Sequence, residues 1–370
     1  MKRLSIKWLI ALLGAALLGA IFLSTQAAAP AQGSIYWGAY IKGNTYGLND
    51  APWNPKTIAR FEEHAQKKPS IIHWGQPWWD CRPRCGYRYF GNEQVQFERV
   101  RRSGYIPMVD WASWDLTRDR QVSQPKYALQ AILRGDHDAY IRDWAAQARD
   151  WGHPFFLRFN WEMNGDWYPW SERVNGNQPG EYVQVWRYVH DIFEEVGAKN
   201  VTWVWCVNTL YEEGIPLEGL YPGDAYVDWT CIDGYNRGDH PLKRDQWRSF
   251  EEVFGPTYEA LLELAPTKPI MIGEVSSTEY GGSKAEWIRT GLLETLPQRF
   301  PKIKAIVWFN WNHRGMDWVI ESSADAQAAF AQGINSSYYA GNEFSYLDIS
   351  PIPPPDRLKQ IWQRRWRVFP

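Results

Sequence analysis

This sequence has almost no excess of charge of either sign, and it contains few cysteines and histidines. Its 370 residues include 40 basic and 42 acidic side chains, which leave a formal net charge of −2. A chain so close to neutral offers no electrostatic reason to expect a nucleic-acid partner. On the same grounds, we expect the ligand to be uncharged.

The four cysteines do not predict a zinc site, because neither a second close pair nor a spaced histidine pair accompanies Cys81 and Cys85. A local bridge between these two would stiffen the loop that contains them. Cys206 and Cys231 fall in consecutive predicted strands, where free buried thiols are as plausible as a disulfide bond. Four cysteines suit an exported protein, in which thiols tend to pair.

Motifs for several other chemistries are missing as well. The sequence has no phosphate-binding glycine loop, no Ser–His–Asp arrangement and no HExxH pattern. His73 and His313 stand at the ends of predicted strands but lack the spacing of metal ligands, and we expect them to be structural. The sequence therefore predicts neither a metal nor a cofactor.

A long apolar run occurs only near the amino terminus. Lys2, Arg3 and Lys7 precede an uncharged stretch over residues 8–23, and small residues follow through Ala31. The stretch is a little short for a membrane span, and residues 29–31 offer a small-x-small cleavage site. We expect residues 1–31 to be a signal peptide or an N-terminal membrane anchor. The folded part would then be secreted or periplasmic, either free or held at the membrane facing outward.

Aromatic residues are what the sequence has in excess, with 24 tryptophans and 20 tyrosines. Flat aromatic faces pack against the C–H faces of sugar rings, while neighbouring polar groups bind the hydroxyls. We expect most of these side chains to fill the core. Several follow predicted strands and are candidates for sugar subsites: Trp78, Trp79, Trp111, Trp114, Trp170 and Trp318.

Eight short apolar segments, rich in β-branched and aromatic residues, predict strands, and helical patterns separate most of them. Strands alternating with helices in this way predict a (β/α)8 TIM barrel, an α/β fold whose active site lies on the loops that follow the strands. We expect a single catalytic domain over residues 32–370. The predicted strands are Ile35–Tyr40, Ser70–Trp74, Ile106–Trp111, Phe155–Glu162, Val201–Asn208, Val227–Tyr235, Pro269–Val275 and Ile303–Asn312.

Glu162 and Glu274 each stand where an apolar run gives way to polar and aromatic residues. A carboxylate at the end of a buried strand is costly to desolvate, so two of them beside tryptophans indicate that their charge is used. Hydrolysis of a glycosidic bond needs such a pair. One carboxyl protonates the departing oxygen, and the other meets the positive charge that develops on the sugar carbon.

Strand alternation predicts where these glutamates point. Along the fourth segment it puts Arg158, Asn160 and Glu162 on one face. Along the seventh segment it puts Ile272 on the same face as Glu274. In a barrel whose outside is covered by helices, a polar strand face points into the upper lumen, where a substrate enters.

The residues around both glutamates resemble glycoside hydrolase family 26, the β-mannanase family in the clan of retaining (β/α)8 hydrolases. The likeness runs over most of the exported chain. The stretch Glu162-Met-Asn-Gly-Asp-Trp-Tyr168 is similar to the family's acid/base motif, which implies that Glu162 is the acid/base. The family's nucleophile closes the seventh strand, which implies that Glu274 is the nucleophile.

The resemblance also implies residues that bind the substrate. Tyr235 matches the tyrosine that bonds the nucleophile, and Trp167 matches an aromatic residue at the reacting sugar. Trp308 or Trp311 on the last strand would supply another platform, and Arg158 would favour the ionised nucleophile. The remaining substrate-binding candidates are Asn160 and Trp170.

The chain departs from the family at Trp161, where the motif has histidine directly before the acid/base glutamate. Family members also act on mixed-linkage β-glucan and β-1,3-xylan. The resemblance therefore implies a retaining endo-type hydrolase of β-mannan, β-1,3/1,4-glucan or a related bacterial exopolysaccharide. Two alternatives stay open: a carbohydrate-binding barrel without hydrolytic activity, and a transglycosidase or trimming enzyme of polysaccharide export.

Overall fold

Eight parallel strands close into a barrel in the computed structural model, which describes residues 34–48, 51–119, 121–241 and 245–366. A ninth strand, β3, is short and pairs only with β2, in an antiparallel hairpin outside the barrel. The strands are β1 (Tyr36–Ile41), β2 (Ile71–Asp80), β3 (Gly86–Tyr87), β4 (Ile106–Asp115), β5 (Phe155–Phe159), β6 (Val201–Asn208), β7 (Trp229–Asn236), β8 (Ile270–Ser277) and β9 (Ile303–Asn310).

Each barrel strand pairs with the next one along the chain, and β9 pairs with β1 to close the ring. Helices connect most of the strands and pack on the outside. The predicted (β/α)8 TIM barrel is confirmed. The α-helices are α1 (Pro55–Ala65), α2 (Phe90–Arg102), α3 (Leu129–Leu133), α4 (Asp138–Trp151), α5 (Glu181–Val196), α6 (Phe250–Leu264), α7 (Lys284–Thr290), α8 (Leu296–Arg299), α9 (Ala324–Ile334) and α10 (Pro355–Trp366).

Helix α4 shows how the sequence dictates this packing. Its apolar residues Ile141, Trp144 and Ala148 recur every three or four positions and are buried. Trp144 packs against Trp111 of β4, with ring centroids 4.8 Å apart. The helix ends at Gly152, which takes the left-handed conformation that suits glycine (φ 76°).

Tryptophans make up much of the interior, as expected from the composition. Ten of them are almost completely buried, and three of these, Trp78, Trp111 and Trp170, had been candidates for sugar subsites. Their burial assigns these three to packing. The ten are Trp37, Trp74, Trp78, Trp111, Trp144, Trp170, Trp186, Trp205, Trp229 and Trp308.

Both cysteine pairs form disulfides. Cys81 and Cys85 close the tip of the β2–β3 hairpin. Cys206 and Cys231 lie directly opposite each other on β6 and β7, and they are bonded rather than free. The hairpin itself was not predicted, since β2 continues to Asp80, six residues beyond its predicted end.

A bulge at Gly273 changes which side chains of β8 face the lumen. Ile272 pairs with Ile232 of β7, yet the next β7 residue, Asp233, pairs with Glu274. Gly273 is therefore the extra residue, and Glu274 does not share a face with Ile272. The alternation predicted for this strand was wrong. Glycine is required here, because an added Cβ would clash with the sulfur of Cys231.

The expected leader, residues 1–31, lies outside the described residues. Residues Gly33–Pro370 form one compact unit. In the part of the chain that the structure describes, no helix combines the length and the apolar character that a membrane crossing needs.

Candidate active site

Glu162 lies at the carboxyl end of the barrel, in a turn that follows β5. The strand ends at Phe159, earlier than predicted, and Asn160 and Glu162 then adopt positive φ angles of 45° and 52°. The backbone N–H of Glu162 donates to the carbonyl oxygen of Cys206 on β6 at 2.8 Å. This turn, rather than a continued strand, directs the glutamate into the lumen, which is the side that strand alternation had predicted for it.

The carboxyl group of Glu162 is buried and hydrogen-bonded by two neutral donors. Oε1 accepts from Asn208 Nδ2 at 2.8 Å, and Oε2 accepts from the indole N–H of Trp167 at 2.7 Å. Burial raises the pKa of Glu162 to about 7, with a further contribution from the charge of Glu274, although both hydrogen bonds and Arg158 oppose the shift. The residue is therefore able to hold a proton near neutral pH.

The carboxyl group of Glu274 has different partners. Oε1 accepts from Arg158 Nη1 at 3.2 Å, and Oε2 accepts from the hydroxyl of Tyr235. Burial raises the pKa of Tyr235 well above its usual range, with help from Glu274, so the phenol stays a neutral donor. A guanidinium and a phenol both favour the ionised carboxylate. The two glutamates therefore differ in their partners, with neutral donors at Glu162 and a guanidinium and a phenol at Glu274.

Arg158 connects Glu274 to two more carboxylates. Its guanidinium bonds to Asp233 of β7, and its Nε lies 3.3 Å from Asp110 Oδ1 of β4. Burial alone would lower the pKa of Arg158, but Asp110, Asp233 and Glu274 together raise it. His73 completes the cluster, with Nε2 at 2.8 Å from Asp110 Oδ2. The arginine is a permanent buried cation.

The spacing of His73, Asp110 and Glu274 would suit a metal ion, since their ligand atoms lie within 4.8 Å of one another. The guanidinium of Arg158 is already 3.2 Å from Glu274 and 3.3 Å from Asp110. A metal cation at this position would be repelled by Arg158. The donor set therefore fits an ion-pair network better than a metal centre.

Two tryptophans from the predicted set border this cluster. Trp167 is 36% exposed, although its indole N–H is engaged by Glu162. Trp311, just beyond β9, is partly exposed and has its ring centroid 6.3 Å from that of Tyr40 and 6.0 Å from that of Phe309. Trp167 therefore contacts Glu162 directly, whereas Trp311 packs against rings at the β9 side of the barrel mouth.

Comparison with known proteins places this arrangement in a family. The sequence model for glycosyl hydrolase family 26 matches residues 111–281, which include both glutamates. Endoglucanase H of Acetivibrio thermocellus is 34% identical over 329 residues, which cover 85% of this chain. The chain belongs to glycoside hydrolase family 26. It spans only 33% of the length of Endoglucanase H, and 48% of that of the β-1,3-xylanase TXYA of a Vibrio species, to which it is 23% identical over 250 residues, 64% of this chain.

Solved structures of family 26 proteins share the fold. The catalytic domain of an endo-β-1,4-mannanase from Bacillus sp. JAMB-750 aligns over 86% of this chain and 91% of its own, with a TM-score of 0.65 and 15% identity. An endo-β-1,4-mannanase double mutant from Cellulomonas fimi aligns over 86% of this chain and 74% of its own, with a TM-score of 0.63 and 18% identity. At these identities the likeness concerns the barrel alone.

Two of the candidate tryptophans, one from the family resemblance and one from its place after a strand, do not reach the site. Trp308 is 1% exposed and packs against Phe330 of α9, on the helix side of the barrel. Trp170 is fully buried, and its indole N–H donates to the carbonyl oxygen of Trp161 at 2.7 Å while its ring stacks on Tyr168. Neither can act as a sugar platform, because neither presents a free ring face. Of the two β9 candidates, Trp311 is the one that is partly exposed.

Asn160 also has a different role from the predicted one. Its side chain is buried, with Oδ1 accepting from the backbone N–H of Ser113 at 3.0 Å and Nδ2 donating to Ser113 Oγ at 2.9 Å. These bonds hold the turn after β5 against the end of β4. The side chain is thus used by the protein and is not available to a substrate.

Three residues of the site were not identified from the sequence: Asp110, Asn208 and Asp233. Each is a polar residue near the carboxyl end of a predicted strand, which is the signal that singled out the two glutamates. Asp233 even lies two residues before Tyr235, which the sequence analysis did identify. Applying the strand-end criterion to all eight segments would have found them.

Removing the charge of Arg158 should destabilise the fold strongly. We expect Arg158→Gln to lower the free energy of unfolding by about 3–5 kcal/mol at neutral pH, because it leaves buried carboxylates without a cation. The loss should shrink as the pH falls and the carboxylates take up protons. Denaturant titrations between pH 4.5 and 8 measure both effects.

Arg134 offers a matched control. It pairs with Asp136 at 2.7 Å, but both side chains are about half exposed. Arg134→Gln should cost less than about 1 kcal/mol at every pH. Similar losses in the two variants would contradict the importance of the buried cation, and Arg158→Lys, which keeps the charge, should fall between them.

Proposed function

We propose that the protein is a retaining endo-type glycoside hydrolase that cleaves a β-linked polysaccharide by double displacement. One observation carries the proposal: two buried glutamates belong to one cluster but have different partners. Glu162 has its pKa raised to about 7, whereas Glu274 is bonded by a guanidinium and a phenol. A proton donor beside a carboxylate nucleophile is what retaining hydrolysis requires.

In the first step, a carboxylate oxygen of Glu274 attacks the anomeric carbon while Glu162 gives its proton to the glycosidic oxygen. The bond between that oxygen and the anomeric carbon breaks, and a glycosyl ester forms on Glu274. In the second step, the now ionised Glu162 takes a proton from water, whose oxygen attacks the anomeric carbon. Glu274 leaves as a carboxylate, and two inversions give net retention.

The surrounding residues support both steps. Once Glu274 is esterified, its charge no longer raises the pKa of Glu162, so Glu162 stays ionised and can accept the proton of water in the second step. Arg158 and Tyr235 stabilise the carboxylate that Glu274 regains when it leaves. Trp167, bonded to Glu162, and Trp311, on the other side of the lumen, would hold sugar rings by their faces.

The comparisons favour some substrates over others. Endoglucanase H carries a name that indicates β-linked glucan, and the β-1,3-xylanases of Vibrio and Alcaligenes species indicate xylan. The similar solved structures are named as mannanases. Trp161, in place of the family's histidine, is buried against Tyr168 and Trp170. We propose a β-glucan or a related exopolysaccharide ahead of mannan.

We also propose that the protein acts outside the cytoplasm. Both cysteine pairs are bonded, and disulfides persist in oxidising compartments. This agrees with the leader expected from the first 31 residues.

Product analysis on a panel of glycans tests the activity. We expect shortening of at least one of β-1,3/1,4-glucan, β-mannan, β-1,3-xylan or a bacterial exopolysaccharide, and proton NMR should show the β anomer first. Retention is expected because the nucleophile forms an ester. The α anomer appearing first would contradict double displacement. Longer products would indicate a transglycosidase, and no product from any glycan would indicate a binding barrel.

Replacing the proton donor should separate its role from folding. Glu162→Ala should slow cleavage of the glycan by about 10²–10⁴-fold. It should slow an aryl glycoside with a good leaving group much less, and added azide should yield a β-glycosyl azide.

Glu93 on α2 provides the control for this test. It is also buried with its pKa raised to about 7, yet it lies outside the cluster. Glu93→Gln should keep wild-type kcat. Equal losses in the two variants, on both kinds of substrate, would contradict the role of Glu162.

A further inference from the structure

Lys42 is a half-buried cation without a counter-ion at the mouth of the barrel. It follows β1, and its ammonium lies 5.0 Å from the ring centroid of Trp311 and 5.6 Å from that of Tyr40. Among residues 34–48, 51–119, 121–241 and 245–366, no carboxylate pairs with it. Burial lowers the pKa of Lys42, and the nearby charge of Arg82 lowers it further.

Arg82 is the second cation at this rim. It lies in the disulfide-closed tip of the β2–β3 hairpin, and its Nε contacts the two oxygens of Asp80 at 3.0 and 3.3 Å. Its terminal amino groups make no hydrogen bond within the described residues, and the side chain is 75% exposed. The guanidinium is therefore anchored at one edge and open at the other. The open edge is the one that binds a carboxylate through two parallel hydrogen bonds.

Packed rings lie between Lys42 and the proposed nucleophile. Tyr40 stacks on Phe309, with ring centroids 5.0 Å apart, and Phe309 packs at 5.7 Å against Tyr235, which bonds to Glu274. Burial raises the pKa of Tyr40, Glu274 raises it further, and Arg82 lowers it. Tyr40 is thus within electrostatic range of both the nucleophile and the rim.

The opposite side of the cleft carries charges of both signs. Burial raises the pKa of Tyr211, whose ring lies 5.9 Å from that of Trp167; Asp166 and Glu213 raise it further, whereas Arg173 lowers it. The near-zero net charge of the whole protein does not show where individual charges lie.

We propose that Lys42 and Arg82, beside the rings of Tyr40 and Trp311, form a subsite for a uronate residue, so that the preferred substrate is an acidic β-linked polysaccharide. The rings would take the C–H face of the sugar, and the two cations would take its carboxylate. This inference rests on the proposed hydrolase function and replaces the expectation of an uncharged ligand. That expectation came from the net charge of the whole protein, which does not show where individual charges lie.

A pair of polymers that differ only in charge tests the subsite. A soluble β-glucan that the protein cleaves is partly oxidised at C6 to glucuronate, and half of the preparation is reduced back to the neutral form. We expect kcat/KM to be about tenfold or more higher on the oxidised polymer, the effect of a charge-assisted contact. Lys42→Met and Arg82→Gln should each bring this ratio toward one, with a smaller change on the neutral polymer.

Lys199→Met is the matched control, because Lys199 is exposed just before β6, at the opposite end of the barrel. In this variant, the ratio of kcat/KM on the oxidised polymer to kcat/KM on the neutral polymer should equal that of the wild type. Equal kcat/KM of the wild type on both polymers would overturn the proposal. An unchanged ratio in both Lys42→Met and Arg82→Gln would also overturn it.

Binding separates this proposal from the hydrolase proposal. Affinity gel electrophoresis of Glu162→Gln with each polymer needs no catalysis. Retardation by the oxidised polymer alone, abolished when Lys42→Met or Arg82→Gln is added, would support the uronate subsite even if no polymer were ever cleaved. Cleavage of both polymers with equal retardation would support the hydrolase and overturn the subsite.

Discussion

Three carboxylates from three strands converge on the buried guanidinium of Arg158, and the rest of the site depends on this cluster. Asp110 comes from β4, Asp233 from β7 and Glu274 from β8, while Arg158 comes from β5. Carboxylates buried this close together repel one another, and a permanent cation among them offsets that repulsion. Only a closed barrel brings four such strands around one side chain. The electrostatics of the site therefore depend directly on the closure of the barrel.

The two glutamates have different partners in this cluster. Glu274 receives a charged partner and a phenol, whereas Glu162 receives two neutral donors and the field of Glu274. Identical side chains thus have different surroundings, and such a difference allows one site to provide both an acid and a nucleophile. Glu93, whose pKa burial also raises to about 7, lies on an outer helix away from this cluster.

The pattern of apolar and polar residues along the sequence was enough to predict the barrel and to single out both glutamates. Strands that are buried on both faces appear in the sequence as apolar runs, and polar side chains mark their ends. The pattern was not enough where one residue breaks the period. The bulge at Gly273 and the positive φ of Asn160 both reorient side chains, and each depends on tertiary bonds to neighbouring strands. Trp308 was predicted to face the substrate, but it packs on the helix side of the barrel. The sequence alone does not distinguish an aromatic residue that faces a helix from one that faces the lumen. The rim cations were missed because net charge hides their position.

The pKa of Glu162 is raised first by burial and then by the charge of Glu274. Titration of Glu162 by carbon NMR, with the side-chain carboxyl labelled and assigned through Glu162→Gln, separates the two causes when the wild type is compared with Glu274→Gln. We expect a pKa of about 7 in the wild type and a lower pKa in the variant, still raised by burial, because removing a nearby negative charge favours ionisation. An ordinary pKa in the wild type, or the same raised pKa in both proteins, would contradict this account.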